Sequence, residues 1–341
     1  MRKHWNYILL VGLLILICLS FSNQLSTPLL FEVPKNWPKP KYDFKKNPLT
    51  EEGFQLGRNL FYDPIISRDY TISCASCHLQ QTGFTHVDHQ LSHGIDGKIG
   101  TRNSLTLINL AWNKVFMWDG GVNNLEIQPL NPITNPVEMD ETLEHVIAKL
   151  QQSEKYKILF TKAFGDNKIT SQRLLKALAQ FTVMLKSTNS KYDKVIRKEA
   201  SFAKNEQHGY DLFKKNCAYC HKEPLFNEDK FENNGLVIDE TLLDSGRMKI
   251  SGKQEDYLRF RIPTLRNIQF TFPYMHDGRF KTLNEVIKHY NSLGHDNRII
   301  SKDLTNPMNL SDNDRIDLLA FLLTLTDKDF LFNDRFSFPK E

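Results

Sequence analysis

Cys74, Cys77 and His78 stand in the arrangement C-x-x-C-H, and Cys217, Cys220 and His221 repeat it. Two thiols three positions apart can each add across a vinyl group of one haem. The adjoining His is then carried under the iron as its fifth ligand, so each motif reads as a c-type haem attachment. A zinc knuckle or a thioredoxin-like redox pair also uses C-x-x-C, but neither needs the His. In a chain of 341 residues with 5 Cys and 11 His, one such motif arises by chance about two times in a thousand. Two of them predict two covalently held c-type haems, with His78 and His221 as the iron ligands.

The chain is long enough for two domains of ordinary size, each with its own core. Hydrophobic content of 40% and charged content of 25% are those of a globular protein. The net charge of +4 includes Arg2 and Lys3, so it falls to +2 without them. The haem propionates lower it further, and nothing in this balance predicts a nucleic-acid partner. Four of the five cysteines belong to the two motifs, which leaves no disulfide framework. The fifth, Cys18, lies in the leader.

Residues 1–22 begin with Arg2, Lys3 and His4, and an apolar run occupies residues 7–19. That is the length of a secretory signal core and too short for a comfortable membrane span. Cleavage after Ser22, a lipid anchor on Cys18 and an uncleaved membrane anchor are the three alternatives. Each places the remainder outside the cytoplasm, in the periplasm, where c-type haems are attached in bacteria. Residues 23–47, with Pro28, Pro34, Pro38 and Pro40, read as a linker with little structure of its own.

The elements that must position the motifs are helical. Pro48 and Thr50 open a helix through Phe54, Leu56, Leu60 and Phe61, and Asp63-Pro64 stops it. Residues 80–102 are rich in Gly, Thr and His and suit a loop over the open side of a haem. Any one of His86, His89 and His93 is placed to reach the iron as a sixth ligand, and His93 is the candidate carried forward. Asp140 starts a helix through Leu143, Val146, Ile147 and Leu150, and Thr170 caps another through Leu174, Leu178, Phe181 and Leu185. The polar segment 186–205 marks a boundary, and residues 207–215 form a helical lead into Cys217. Thr282-Leu283-Asn284-Glu285 is a capping box for a helix to about Asn291, with Gly294 beyond it. A final helix starts at Ser311 and runs through Ile316, Leu319, Leu322 and Leu323, against a haem face.

Three stretches carry a resemblance. They are residues 102–106 with 116–121, Leu125, Gln128 and Asn135-Pro136-Val137-Glu138-Met139, and residues 262–267 with 273–278. Together they resemble the bacterial di-haem cytochrome c peroxidase family, including its MauG branch, over about residues 48–330. The resemblance implies an all-α fold of two cytochrome c-like domains face to face, each with one covalent haem, long loops and little strand. The domains would be an N-terminal peroxidatic one at 48–190 and a C-terminal electron-transfer one at 200–335. It implies that Trp118 relays electrons between the haems, while Gln128 and Glu138 line the distal pocket where hydrogen peroxide binds. Peroxide cleavage needs an open iron position, electron push from a proximal His, and a base that moves a proton from the near to the far oxygen. On this resemblance His78 supplies the push, Glu138 moves the proton and Gln128 holds the peroxide. The electron donor would be a small cytochrome c or a cupredoxin, and a homodimer is expected by analogy.

The resemblance also implies an interdomain calcium ion on Asn103, Thr271 and Pro273, oxygen donors of the kind calcium takes. At Tyr290 the chain departs from the ordinary peroxidases, which have an axial Met near the end of this helix. It is similar there to MauG, where a Tyr ligates the second haem. Met275 and His289 are nearby alternatives, and Met308 is a remote one. Two rival functions follow: a MauG-like oxidase acting on a protein substrate, and a di-haem electron carrier without catalysis.

Overall fold

Thr50 accepts a hydrogen bond from the Gly53 N–H at 3.0 Å and so starts helix α1 (Glu51–Tyr62). The structure, a computed structural model, describes residues 26–293, 300–304 and 307–340. The leader 1–22 with Cys18, residues 23–25 of the expected linker and Gly294 lie outside the described residues. Phe54, Leu56, Leu60 and Phe61 are buried on α1, and Pro64 ends it by holding Asp63 in extended backbone.

Six further helices of ten residues or more follow among the described residues: α2 (Leu143–Gln152), α3 (Glu154–Phe164), α4 (Ser171–Val183), α5 (Lys204–Asn216), α6 (Leu283–Ser292) and α7 (Asp312–Leu323). Thr170, Thr282 and Ser311 cap α4, α6 and α7, each through its own side chain, as expected. The start of α2 is corrected. Its cap is Thr142, because Asp140 sits at φ +49°, in the left-handed region that an α-helix excludes. Helix α3 was not expected, although Ser153 caps it and Gly165 stops it. Among the described residues, strand is confined to a short antiparallel pair, β1 (Glu228–Glu232) and β2 (Phe260–Ile262), with a bulge between Glu228 and Phe231. The fold is mostly helical with little strand.

Two helix pairs organise the molecule, α1 against α4 and α5 against α7. In each, a glycine on the helix leading to a haem motif allows close contact. A Cβ on Gly57 would lie 1.9 Å from the Ala177 carbonyl, and one on Gly209 would lie 1.9 Å from that of Asp317. Around the first pair is a core with Phe54, Phe61, Phe160, Leu174 and Phe181; around the second, one with Tyr192, Phe213, Phe226, Leu318 and Phe321. Each such side chain contributes roughly 1.5–3 kcal/mol relative to exposure.

The segment 26–47, expected to be a linker, carries no helix but is not loose: Phe31, Trp37, Tyr42 and Phe44 pack on the first core, and Trp112 donates to the Pro38 carbonyl at 2.7 Å. Segment 186–205 holds a short helix (Lys191–Ile196) whose buried Asp193 meets Arg266 through two 2.8 Å bonds. The far end of the chain crosses over. Phe330, Leu331 and Phe336 belong to the first core, and Tyr62 donates to the Phe336 carbonyl at 2.7 Å. A second unit ending at 335 therefore takes in residues that pack with the first. Among the described residues, no helix is long and apolar enough to cross a membrane.

Candidate functional site

The first motif is one helical turn, Cys74–Cys77, begun at Ser73, with His78 at its end. The turn of chain after it brings the Phe84 carbonyl to 2.8 Å from His78 Nδ1. With Nδ1–H donated there, Nε2 is left as the acceptor nitrogen, the tautomer a metal ligand needs. Burial pushes the His78 imidazole down to about 4 and so keeps it neutral. It also pushes the Cys74 and Cys77 thiols up, to about 12 and about 11. Neither thiol is therefore set up as a thiolate nucleophile of the redox-pair kind.

These three residues face a cavity of about 590 Å³, counted with its opening to solvent, which His93, Gln128 and Glu138 also line. Glu138 comes from the turn after the short helix Leu130–Thr134, where Asn135 Nδ2 donates to Oε1 at 2.7 Å. Burial raises its carboxyl above the ordinary value, with Asn135 pulling the other way. The His93 loop is tied to the same turn, since Ile95 N–H donates to the Glu138 carbonyl at 2.8 Å. Gln128 lies 3.8 Å from Met117 Sδ. The structure thus brings His78, His93, Gln128 and Glu138 to one cavity, although 60 positions separate His78 from Glu138.

The second motif follows α5 directly. His221 Nδ1 lies 3.1 Å from both the Phe226 and the Pro263 carbonyls, and burial pushes this imidazole down to about 4. Cys217, Cys220 and His221 line a larger cavity of about 1260 Å³, again counted with its opening. Trp118, Met275, Tyr290 and Met308 face it too, and so do Leu318 and Leu322 of α7. The Tyr290 phenol is pushed up to about 12 by burial, with a bond to Asn234 pulling it back. His289 is not part of this lining: its Nε2 lies 2.9 Å from the Asn234 carbonyl. Met275 Sδ is 3.3 Å from Asn234 Nδ2.

Both cavities fit haem on grounds beyond the motifs. Haem carries two carboxylates, and Arg261, on β2, lines the second cavity as a buried guanidinium with no partner for Nε. Burial pushes it down to about 10, with Asp229 opposing; Asp229 is already taken by Lys41 at 2.5 Å. A buried guanidinium with an unpaired N–H is costly, and a propionate would answer it. In the first cavity, His93 Nε2 is likewise buried without a partner. The sequence reading missed Arg261, whose only local signal is an Arg inside an apolar strand.

Trp118 lines the second cavity. Its indole N–H donates to the Asn103 carbonyl at 2.8 Å, and its own carbonyl accepts from Arg261 N–H at 2.7 Å. Its neighbour Met117 meets Gln128 of the first cavity. Asn103 N–H donates to the His276 carbonyl at 2.7 Å, and its side-chain amide donates to the Gln90 carbonyl at 2.9 Å. Asn103 is therefore beside the segment 271–276 that contains Thr271 and Pro273. Arg102 adds a buried cross-tie, bonded to Asp119 at 2.6 Å and to Asp244 at 2.6 and 2.8 Å. Arg102 was noted in the sequence only as part of a stretch carrying the resemblance, with no role given to it, and Asp244 did not stand out.

A family model described as di-haem cytochrome c peroxidase matches residues 51–201. The methylamine utilization protein MauG of Methylophilus methylotrophus is 34% identical over 327 residues, 94% of this chain and 95% of its own. The cytochrome c551 peroxidase of Nitrosomonas europaea is also 34% identical, over 280 residues, 80% of this chain and 79% of its own. Among solved structures, a MauG-like protein associated with microbial copper homeostasis superposes with a TM-score of 0.84 at 32% identity, covering 91% of this chain and 99% of that one.

Proposed function

The chain belongs to the di-haem cytochrome c peroxidase family, and on that premise we propose that it reduces hydrogen peroxide to water with electrons from a small cytochrome c or cupredoxin in the periplasm. The observation that carries this is the meeting of Glu138 and Gln128 with His78 in the first cavity. Cys74, Cys77 and His78 would hold one haem, and Cys217, Cys220 and His221 the other. When bound, the haems supply the iron chemistry that cleaves peroxide and a place for both oxidising equivalents.

The remaining work falls to this chain's side chains. Glu138 takes the proton from the near peroxide oxygen and returns it to the far one, its carboxyl held by a hydrogen bond from Asn135. Gln128 donates to the peroxide and orients it. Trp118 passes electrons from the second cavity toward the first. Asn103, Thr271 and Pro273 would hold a calcium ion; Asn103 gives its amide N–H to Gln90, which leaves its side-chain oxygen for a cation. Residues 1–22 direct export, and the chain associates as a homodimer.

A second reading, an oxidase acting on a protein substrate, draws on one observation: Tyr290 lines the second cavity beside Cys217 and Cys220. There a phenolate would stabilise ferric iron where a thioether would not. A pure electron carrier, by contrast, has no use for a buried Glu138. Glu138→Gln tests the proposal. It should keep both haems, read from absorbance, while peroxide turnover with a reduced donor falls by about 10²–10⁴-fold. Unchanged turnover would remove Glu138 from the mechanism.

A further inference from the structure

His86, His89 and His93 converge within one loop. The His89 and His93 ring centres are 3.9 Å apart, and His86 stands 5.3 Å from each. One ligating nitrogen from each ring can be chosen so that all three lie within 4.8 Å of one another. His86 is buried, His93 half-buried and His89 exposed at the mouth. His86 Nδ1 and His93 Nε2 are both buried without a hydrogen-bond partner. Two orphaned imidazole nitrogens side by side are unusual, because buried polar atoms are nearly always satisfied.

The loop is also built to keep the rings together. Thr85, next to His86, pairs with Leu79, and His93 pairs with Ile99 in a second isolated bridge. Between them the Gln90 carbonyl accepts from Asn103 Nδ2 at 2.9 Å. It also packs against Gly278 so closely that a Cβ there would lie 2.2 Å from the carbonyl oxygen. The backbone is thus pinned before, within and after the cluster, so the ligands are ordered in advance.

We propose that His86, His89 and His93 form a third metal centre at the edge of the first haem cavity, one that holds a single Zn²⁺ or Cu⁺ ion through three imidazole nitrogens. Imidazole donors with no carboxylate among them suit these ions and not Mg²⁺ or Ca²⁺. At metal–nitrogen bonds of about 2.0–2.1 Å the donors must close to about 3.3 Å, and exposed His89 is the ring free to make that movement. His93 lines the first haem cavity as well, so its Nε2 can serve the ion or an iron, not both.

The test uses the untagged protein carrying both haems, stripped with a chelator, then titrated with Zn²⁺ and, without oxygen, with Cu⁺ against a competing chelator. Metal and iron per chain are counted by mass spectrometry. The expected result is one Zn or Cu beyond the two irons, undisturbed by excess Mg²⁺ or Ca²⁺. His89→Ala, which removes an exposed ring, should weaken binding at least about tenfold, and the double variant His86→Ala/His89→Ala should abolish it at unchanged haem content. No third metal with either ion, or affinity unchanged in both variants, would overturn the proposal. Haem content and peroxide turnover of the same samples report separately on the peroxidase function.

Discussion

Trp118 and Asn103 are joined by a buried 2.8 Å bond from the indole N–H to the backbone carbonyl. Through that bond the ring that edges the second cavity is tied to the residue that also holds the His loop at Gln90 and the second half at His276. The position of Trp118 is therefore a property of the junction and not of its own turn.

Trp118→Phe keeps an aromatic ring but leaves the Asn103 carbonyl unpaired. The variant should lose about 1–3 kcal/mol in denaturant unfolding. Electron arrival at the first haem, followed by stopped-flow absorbance, should slow with it. Normal transfer in a measurably destabilised variant would separate the structural role from the relay.

Burial holds the Glu138 carboxyl above its ordinary value. A proton acceptor must be ionised, so turnover should rise with pH through that raised value, and Glu138→Gln should flatten the rise. The sign for stability is the opposite. A carboxyl whose folded pKa is raised binds more protons folded than unfolded, so its contribution is present at low pH. It is lost as pH climbs from the unfolded value, about 4.3, through the folded one. Glu138→Gln should therefore be no less stable than the parent at neutral pH, a point thermal unfolding decides.

Gly57→Ala and Gly209→Ala each put a methyl group 1.9 Å from a backbone carbonyl of the partner helix. Each should cost about 1–3 kcal/mol, because the helices must separate. Neither Gly57 nor Gly209 lines a cavity, so haem content at low temperature should survive. A neutral effect on the unfolding midpoint would mean the helix pairs tolerate wider spacing.

Tyr290 is the residue to vary at the second cavity. If its oxygen ligates, Tyr290→Met should raise the reduction potential of that haem and change its paramagnetic resonance. Tyr290→Phe should change the resonance too. Signals identical to the parent in both variants would leave Met275 or Met308 as the ligand, since these also face the cavity.

Much of this protein is local chemistry and was legible in the chain itself. The haem motifs are complete within five residues. Thr50, Thr170, Thr282 and Ser311 cap helices by bonding to N–H groups three positions on, so spacing alone reveals them. Glu138, Gln128 and Tyr290 were candidates only through their resemblance to a family; Glu138 and Gln128 line the first cavity and Tyr290 the second.

What the tertiary structure alone decided are relations between distant residues, where periodicity carries no information. His289 and Tyr290 adjoin on one helix, yet the Asn234 carbonyl, 55 positions away, takes His289 and leaves Tyr290 to the cavity. Arg261 reads as one Arg in a short strand until its surroundings are known to leave its Nε buried without a partner. Phe330 and Phe336 follow the second motif in sequence but pack on the first core. Apolar patterning states that a residue will be buried; which partner buries it depends on how the whole chain closes.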